Sequence, residues 1–243
     1  MITRTPLAYV HDGTPLEGIL VVDAATEAPR PGVLLVHEFM GIGEYVLVHA
    51  DRLAAEGYAV LACDMYGKGV RPRDAAEASR YSRIYRQDRM LMRQRARAGL
   101  QALAQSPCAD PNRLLALGFS FGGCAVLELA RSGAPLLGSA SFYGYLNTPH
   151  PCAKGKVQGS ILVMHGVRDK VVPMEEIPVL AEEMRTAGVD CRIQLHTDAG
   201  HGFSNETLAE DPATGSAYCP KTAMRAWKAL LCFYSELLTN NTE

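Results

Sequence analysis

Two stretches that alternate apolar and polar residues open the chain, around Leu7–Val10 and Leu16–Val22. The turn-forming run His11-Asp12-Gly13-Thr14-Pro15 between them predicts a hairpin. Beyond it the pattern changes to short apolar runs of strand length, separated by segments whose apolar residues recur at helical spacing. Strands are predicted at Gly32–Val36, Tyr58–Cys63, Leu114–Leu117, Leu136–Phe142, Ile161–Met164 and Cys191–Leu195. Helices are predicted at Tyr45–Glu56, within Ala75–Ala104, and at Gly123–Arg131, Glu175–Ala187 and Thr222–Leu238. Strands and helices that take turns in this way build a mainly parallel sheet covered by helices on both faces, an α/β fold. No repeat, low-complexity tract or linker interrupts the pattern, so residues 1–243 are expected to form a single domain.

The predicted strand at Leu114–Leu117 runs into Gly118-Phe119-Ser120-Phe121-Gly122 and then into a predicted helix. A serine between two glycines on a sharp strand-to-helix turn projects its hydroxyl above the sheet, the nucleophile elbow of α/β-hydrolases. The glycines are needed because the turn brings strand and helix backbones close together. Two later segments offer partners. Ser160–Met164 opens into His165-Gly166-Val167-Arg168-Asp169, an acid just past a strand, and Asp198-Ala199-Gly200-His201-Gly202-Phe203 holds a histidine in a glycine-flanked loop. Serine, then acid, then histidine is the triad order of this fold and not that of chymotrypsin or subtilisin. In those roles His201 takes the proton of Ser120 while Asp169 holds the imidazole tautomer. Asp190 and Asp198 compete with Asp169 for the acid role, and His165 and His196 with His201; for Ser120 the plain alternative is a turn serine.

Upstream, the run Gly32–Val36 ends in His37-Glu38-Phe39-Met40-Gly41. The oxyanion site of this fold takes one backbone N–H from the residue after the nucleophile and one from the loop after an earlier strand, positions that fall on Phe121 and Phe39. A carboxylate at the mouth of such a site, Glu38, must be paired, protonated or catalytic; the alternative is a solvated loop glutamate.

With Cys63-Asp64-Met65-Tyr66, Gly123, and the continuation Lys170-Val171-Val172-Pro173, these ordered segments resemble the dienelactone hydrolase family and spread over most of the chain. The resemblance implies an α/β-hydrolase fold and a carboxylic-ester hydrolase acting on small, often lactone-like or anionic esters, without metal or organic cofactor. Two positions depart from the family's founding enzymes. These carry a cysteine nucleophile where this chain has Ser120, and their glutamate matching Glu38 helps control that thiol's ionisation, a service a serine cannot use identically. They also place an arginine four residues past the catalytic histidine, where this chain has Asn205. A cation for a substrate carboxylate or for Glu38 must then come from elsewhere, and Lys68, near a cationic position of the family, is the candidate.

Only Tyr143–Gly159 separates the strand at Leu136–Phe142 from the next, which leaves no room for the cap domain that many α/β-hydrolases insert there. A shallow site rimmed by loops is expected, with Phe39, Tyr66, Phe121, Tyr145 and Phe203 as apolar walls and small soluble esters as substrates. The arginines crowded between Arg71 and Arg97 read mostly as a solvated helix face, with Arg71 near enough to a strand end to reach the site.

A length of 243 residues and 48% hydrophobic content suit one soluble α/β domain, and a net charge of −2 sets up no field for nucleic acid or an anionic membrane. Seven cysteines at scattered spacings make neither a disulfide framework nor a C-x-x-C metal pair, and Cys124, about one helical turn past Ser120, reads as a packing thiol. The start, Met1–Pro6, lacks the apolar core of a signal peptide and no run approaches transmembrane length, which points to the cytoplasm. The expected partner is a small-molecule ester or lactone, with no nucleic acid and no membrane; a homodimer is left open. Two other readings stand beside this one: an acyl-peptide hydrolase or thioesterase on the same triad, and a non-catalytic binding protein on the same scaffold.

Overall fold

The structure, a computed structural model describing residues 1–27 and 29–240, is organised around one eight-stranded sheet. In chain order its elements are β1 (Ile2–His11), β2 (Thr14–Asp23), β3 (Arg30–Val36), α1 (Glu44–Ala55), β4 (Ala59–Cys63), α2 (Ala75–Gln87) and α3 (Arg89–Ala104). Then follow β5 (Ala109–Phe119), α4 (Phe121–Arg131), β6 (Gly138–Phe142), β7 (Ser160–Gly166), α5 (Glu176–Ala187), β8 (Cys191–His196) and α6 (Pro220–Asn240). The strand order is β1-β2-β4-β3-β5-β6-β7-β8. The hairpin joins β4 antiparallel, and every pairing from β4 to β8 is parallel.

Side chains alternate across a strand, so a strand between two helix layers must be apolar on both faces. Along β3, Val33 and Leu35 join a core with Ala50 and Leu53 of α1 and Leu230 of α6. Leu34 and Val36 join the opposite core with Met92 of α3 and Ala125 of α4. This double burial is why the central strands read as unbroken apolar runs, while the edge hairpin alternates.

The helical stretch Ala75–Ala104 divides at Asp88, whose side chain caps α3 by accepting the Leu91 N–H at 2.9 Å; Asp74 caps α2 through the Glu77 N–H at 2.8 Å. Five of the nine arginines between Arg71 and Arg97 are exposed, as expected of a mostly solvated face, and the four on α3 are not. Because α3 packs along α4, Arg89 and Arg95 are buried, Arg93 meets the fully buried Glu128 at 2.7 Å, and Arg97 donates to Ser132. Arg71, Arg73, Arg80, Arg83 and Arg86 are the exposed members. Strand β5 begins at Ala109, ahead of its apolar run, because Arg30 and Pro31 pair with Ala109 and Asp110 before an irregularity at Pro31/Gly32. No helix or strand occupies 143–159, so no cap interrupts the fold there. Among the described residues no helix is long and apolar enough to cross a membrane.

Candidate active site

The parallel strands bring the carboxyl ends of β3, β5, β7 and β8 to one edge of the sheet, where ligands bind in open α/β sheets. At the end of β5 the chain turns into α4 so tightly that a Cβ on Gly118 would lie 2.0 Å from the Gly122 carbonyl oxygen, and one on Gly122 would lie 2.1 Å from that of Val36. Neither position admits a side chain. Ser120, between them, sits at φ +51°, a conformation rarely adopted by residues other than glycine. Its N–H bonds to the Phe142 carbonyl at 2.9 Å and its carbonyl accepts the Cys124 N–H at 3.1 Å, so the surroundings hold the strained residue in place.

Ser120 Oγ lies 2.9 Å from His201 Nε2, and His201 Nδ1 lies 2.8 Å from Asp169 Oδ2. The other Asp169 oxygen accepts the Val171 and Val172 N–H groups at 2.8 and 2.9 Å, which fixes the buried carboxylate. The competing acids are engaged elsewhere. Asp198 pairs with Lys221 at 2.8 Å, a contact that draws its pKa down to about 2, and Asp190 lies 3.9 Å from Arg192. Burial lowers the pKa values of His165 and His196, and neither ring bonds a side chain among the described residues.

These groups open onto a cleft of about 470 Å³. Phe39 and Phe121 line it beside Ser120, and neither backbone N–H donates to an acceptor among the described residues, so both are available to a bound oxygen. One wall is a helix face: Ala75, Ser79, Ser82 and Arg86 of α2 line it at helical spacing. Another is the loop after His201, including Leu208 and Ser216, tied back by a bridge between His201 and Ser216. Loops line much of the cleft, as expected, and the α2 wall is an addition to them. Its signal was the row of small residues ending in arginine, but only long-range docking decides which surface such a stripe covers.

The sequence profile of the dienelactone hydrolase family matches residues 16–238. The chain belongs to the dienelactone hydrolase family. A Salmonella typhimurium protein provisionally named a carboxymethylenebutenolidase is 25% identical over 223 residues, 87% of this chain and 79% of the relative. The structure of a dienelactone hydrolase-like promiscuous phosphotriesterase from metagenomic libraries is 34% identical, with a TM-score of 0.91 over 97% of this chain and 98% of that one. An acylaminoacyl peptidase shares the fold at a TM-score of 0.73 and 14% identity, over 96% of this chain and 41% of that one. This family member is thus a hydrolase of the α/β-hydrolase fold.

Within this dienelactone hydrolase fold, Glu38 is half-buried in the lining of the cleft and bonded by neutral donors. Tyr143 Oη donates to its Oε1 and Asn205 Nδ2 to its Oε2, each at 3.2 Å. Burial raises its pKa, against the opposing pull of His201, Tyr143 and Asn205. Asn205 thus meets Glu38 where the founding enzymes have an arginine. The Tyr143 hydroxyl also lies 2.8 Å from that of Tyr45 and 2.9 Å from Ser204 Oγ, a cluster with no local signature in the sequence. His37 supports the loop: its Nδ1 is 2.5 Å from the Glu38 carbonyl oxygen, and burial pushes its pKa down to about 4, so the neutral ring donates there.

The remaining expected residues separate. Tyr145 lines the cleft with the Arg86 guanidinium 3.7 Å above its ring. Tyr66 does not form a wall, because its buried ring packs beneath the loop and its hydroxyl donates to the Phe39 carbonyl at 2.8 Å. Phe203 does not either, since it lies fully buried in the core with its ring 5.0 Å from that of Tyr143. Lys68 is not brought to the cleft: its ammonium pairs with Glu17 of β2 at 2.8 Å. Arg71 is exposed and turns to the Val70 carbonyl at 2.8 Å. Arg86, missed as a site residue, is the one lysine or arginine among the described residues that lines the cleft.

Proposed function

We propose that the chain is a serine hydrolase that cleaves small carboxylic esters or lactones through an acyl-enzyme on Ser120. The observation that carries this reading is the series Ser120–His201–Asp169, joined at 2.9 and 2.8 Å beside two unpaired backbone donors. Ser120 Oγ attacks the ester carbonyl carbon as its proton passes to His201 Nε2, and the imidazolium formed faces the fixed Asp169 carboxylate. The carbonyl oxygen, now anionic, accepts from the Phe39 and Phe121 N–H groups; loss of one such donor costs roughly a hundredfold or more in rate. Collapse of the intermediate expels the alkoxide, which takes the proton from Nε2. Water, activated by the same nitrogen, then frees Ser120.

Arg86 has no carboxylate partner among the described residues and is the cation proposed to hold an anionic substrate, in place of Lys68. A volume of about 470 Å³ suits a small ester. The seven free thiols fit a reducing compartment, the cytoplasm.

Hydrolysis of p-nitrophenyl acetate and of a dienelactone, by wild type and Ser120→Ala, tests the proposal. Both activities should fall by about ten-thousandfold or more in the variant; a variant that still turns over the lactone contradicts it. The likeness to the promiscuous phosphotriesterase favours a second reading, attack at phosphorus by the same serine. In the same assay a dialkyl p-nitrophenyl phosphate separates the two, since repeated turnover supports it and stoichiometric inactivation supports the esterase.

A further inference from the structure

We infer that the protein carries a second small-molecule site, for a small aromatic carboxylate, between α1, α6 and the loop after β8. A cavity of about 510 Å³ opens there and shares no lining residue with the cleft of about 470 Å³ at Ser120. Its inner walls are aromatic. The His49 ring lies 4.8 Å from that of Tyr45 and 5.3 Å from that of Trp227, and burial beside Arg52 keeps the imidazole neutral.

The mouth of the cavity is cationic. The Arg52 guanidinium lies 4.0 Å over the Trp227 ring, and neither it nor Lys228 has a carboxylate partner among the described residues. Of the acids at the same mouth, Glu44 is taken by Arg4 at 3.0 Å, which leaves Glu206, beside Tyr218, against two unanswered cations. Aromatic walls under an unpaired guanidinium fit a ring bearing one negative charge. The ring displaces water from the walls while the carboxylate takes the planar donor fork of Arg52. A neutral aromatic molecule leaves the cations unanswered, and a small aliphatic anion leaves the walls wet.

Trp227 is the chain's one tryptophan, so its emission reports on this cavity and not on the cleft. The experiment titrates benzoate, benzamide and acetate against wild type, Arg52→Gln, Lys228→Gln and Arg86→Gln, with circular dichroism to confirm each fold. Benzoate should give a saturable change in Trp227 emission that benzamide and acetate do not match. Arg52→Gln should weaken binding about tenfold or more, the loss of one charge-assisted hydrogen bond, and Lys228→Gln should weaken it less. Arg86→Gln should leave it unchanged. The proposal is overturned by no saturable response to benzoate, by an equal response to benzamide, or by loss of binding in Arg86→Gln with Arg52→Gln unaffected. It is equally overturned if emission without ligand depends on protein concentration, which would show a second copy covering the cavity.

Discussion

On one side of the cleft, Ser120, Asp169 and His201 stand just past the ends of β5, β7 and β8; on the other, Ser79, Ser82 and Arg86 project from α2. The first side is over-determined. Ser120 is locked by two glycines that admit no Cβ, and Asp169 by two backbone N–H groups. The second side is one helix laid across the opening, with Arg86 exposed and held by its stacking on Tyr145. The contrast teaches where change is tolerated: bond-making groups need placement to fractions of an ångström, whereas a wall that selects substrate works from side chains the fold does not depend on.

The largest effect should come from breaking the first side. Asp169→Asn should cost about ten-thousandfold in kcat, because the amide favours the wrong imidazole tautomer. Asp198→Asn, which alters an acid paired with Lys221 at the surface, should stay within a few-fold in the same assay. Comparable losses in both would erase the distinction between the acids.

The second side should respond more weakly and selectively. Arg86→Gln should raise KM about tenfold for anionic esters and leave neutral esters unchanged, as expected for one lost charge-assisted contact. Equal loss on both substrates would make α2 part of the chemistry.

Glu38 lies between the two sides and should show the smallest effect. Burial raises its pKa, so the folded chain holds this proton to higher pH than the unfolded chain does. The group therefore favours folding at low pH, and that advantage is lost as pH rises beyond the ordinary carboxylate range and through its raised folded value. Glu38→Gln should raise Tm by a few degrees at pH 8, a gain that disappears near pH 4; a gain independent of pH would remove the Glu38 carboxyl from the account.

Much of the first side was legible because each backbone constraint leaves a local mark: a glycine pair around the serine, an acid just past an apolar run, a histidine flanked by glycines. The sheet was legible for a similar reason, since double burial makes strands such as β3 apolar throughout. What local pattern does not encode is direction across the sheet edge. Tyr66 and Phe203 sit as near the motifs in sequence as Phe39 and Phe121, yet they pack beneath the strand ends. Lys68 was drawn by position to the site but by charge to Glu17, and Arg86 reaches the cleft only through the docking of α2. The Tyr45–Tyr143–Ser204 cluster around Glu38 joins residues 159 positions apart, beyond any local signal.

The central claim is that Ser120 makes the covalent bond, and the most direct measurement is peptide mapping by mass spectrometry after reaction with a fluorophosphonate. The account predicts one adduct per chain, on the peptide containing Ser120, with none formed by Ser120→Ala. An adduct on Cys124, a thiol whose burial pushes its pKa up to about 11, or ester turnover by a protein whose Ser120 stays unmodified, would contradict it.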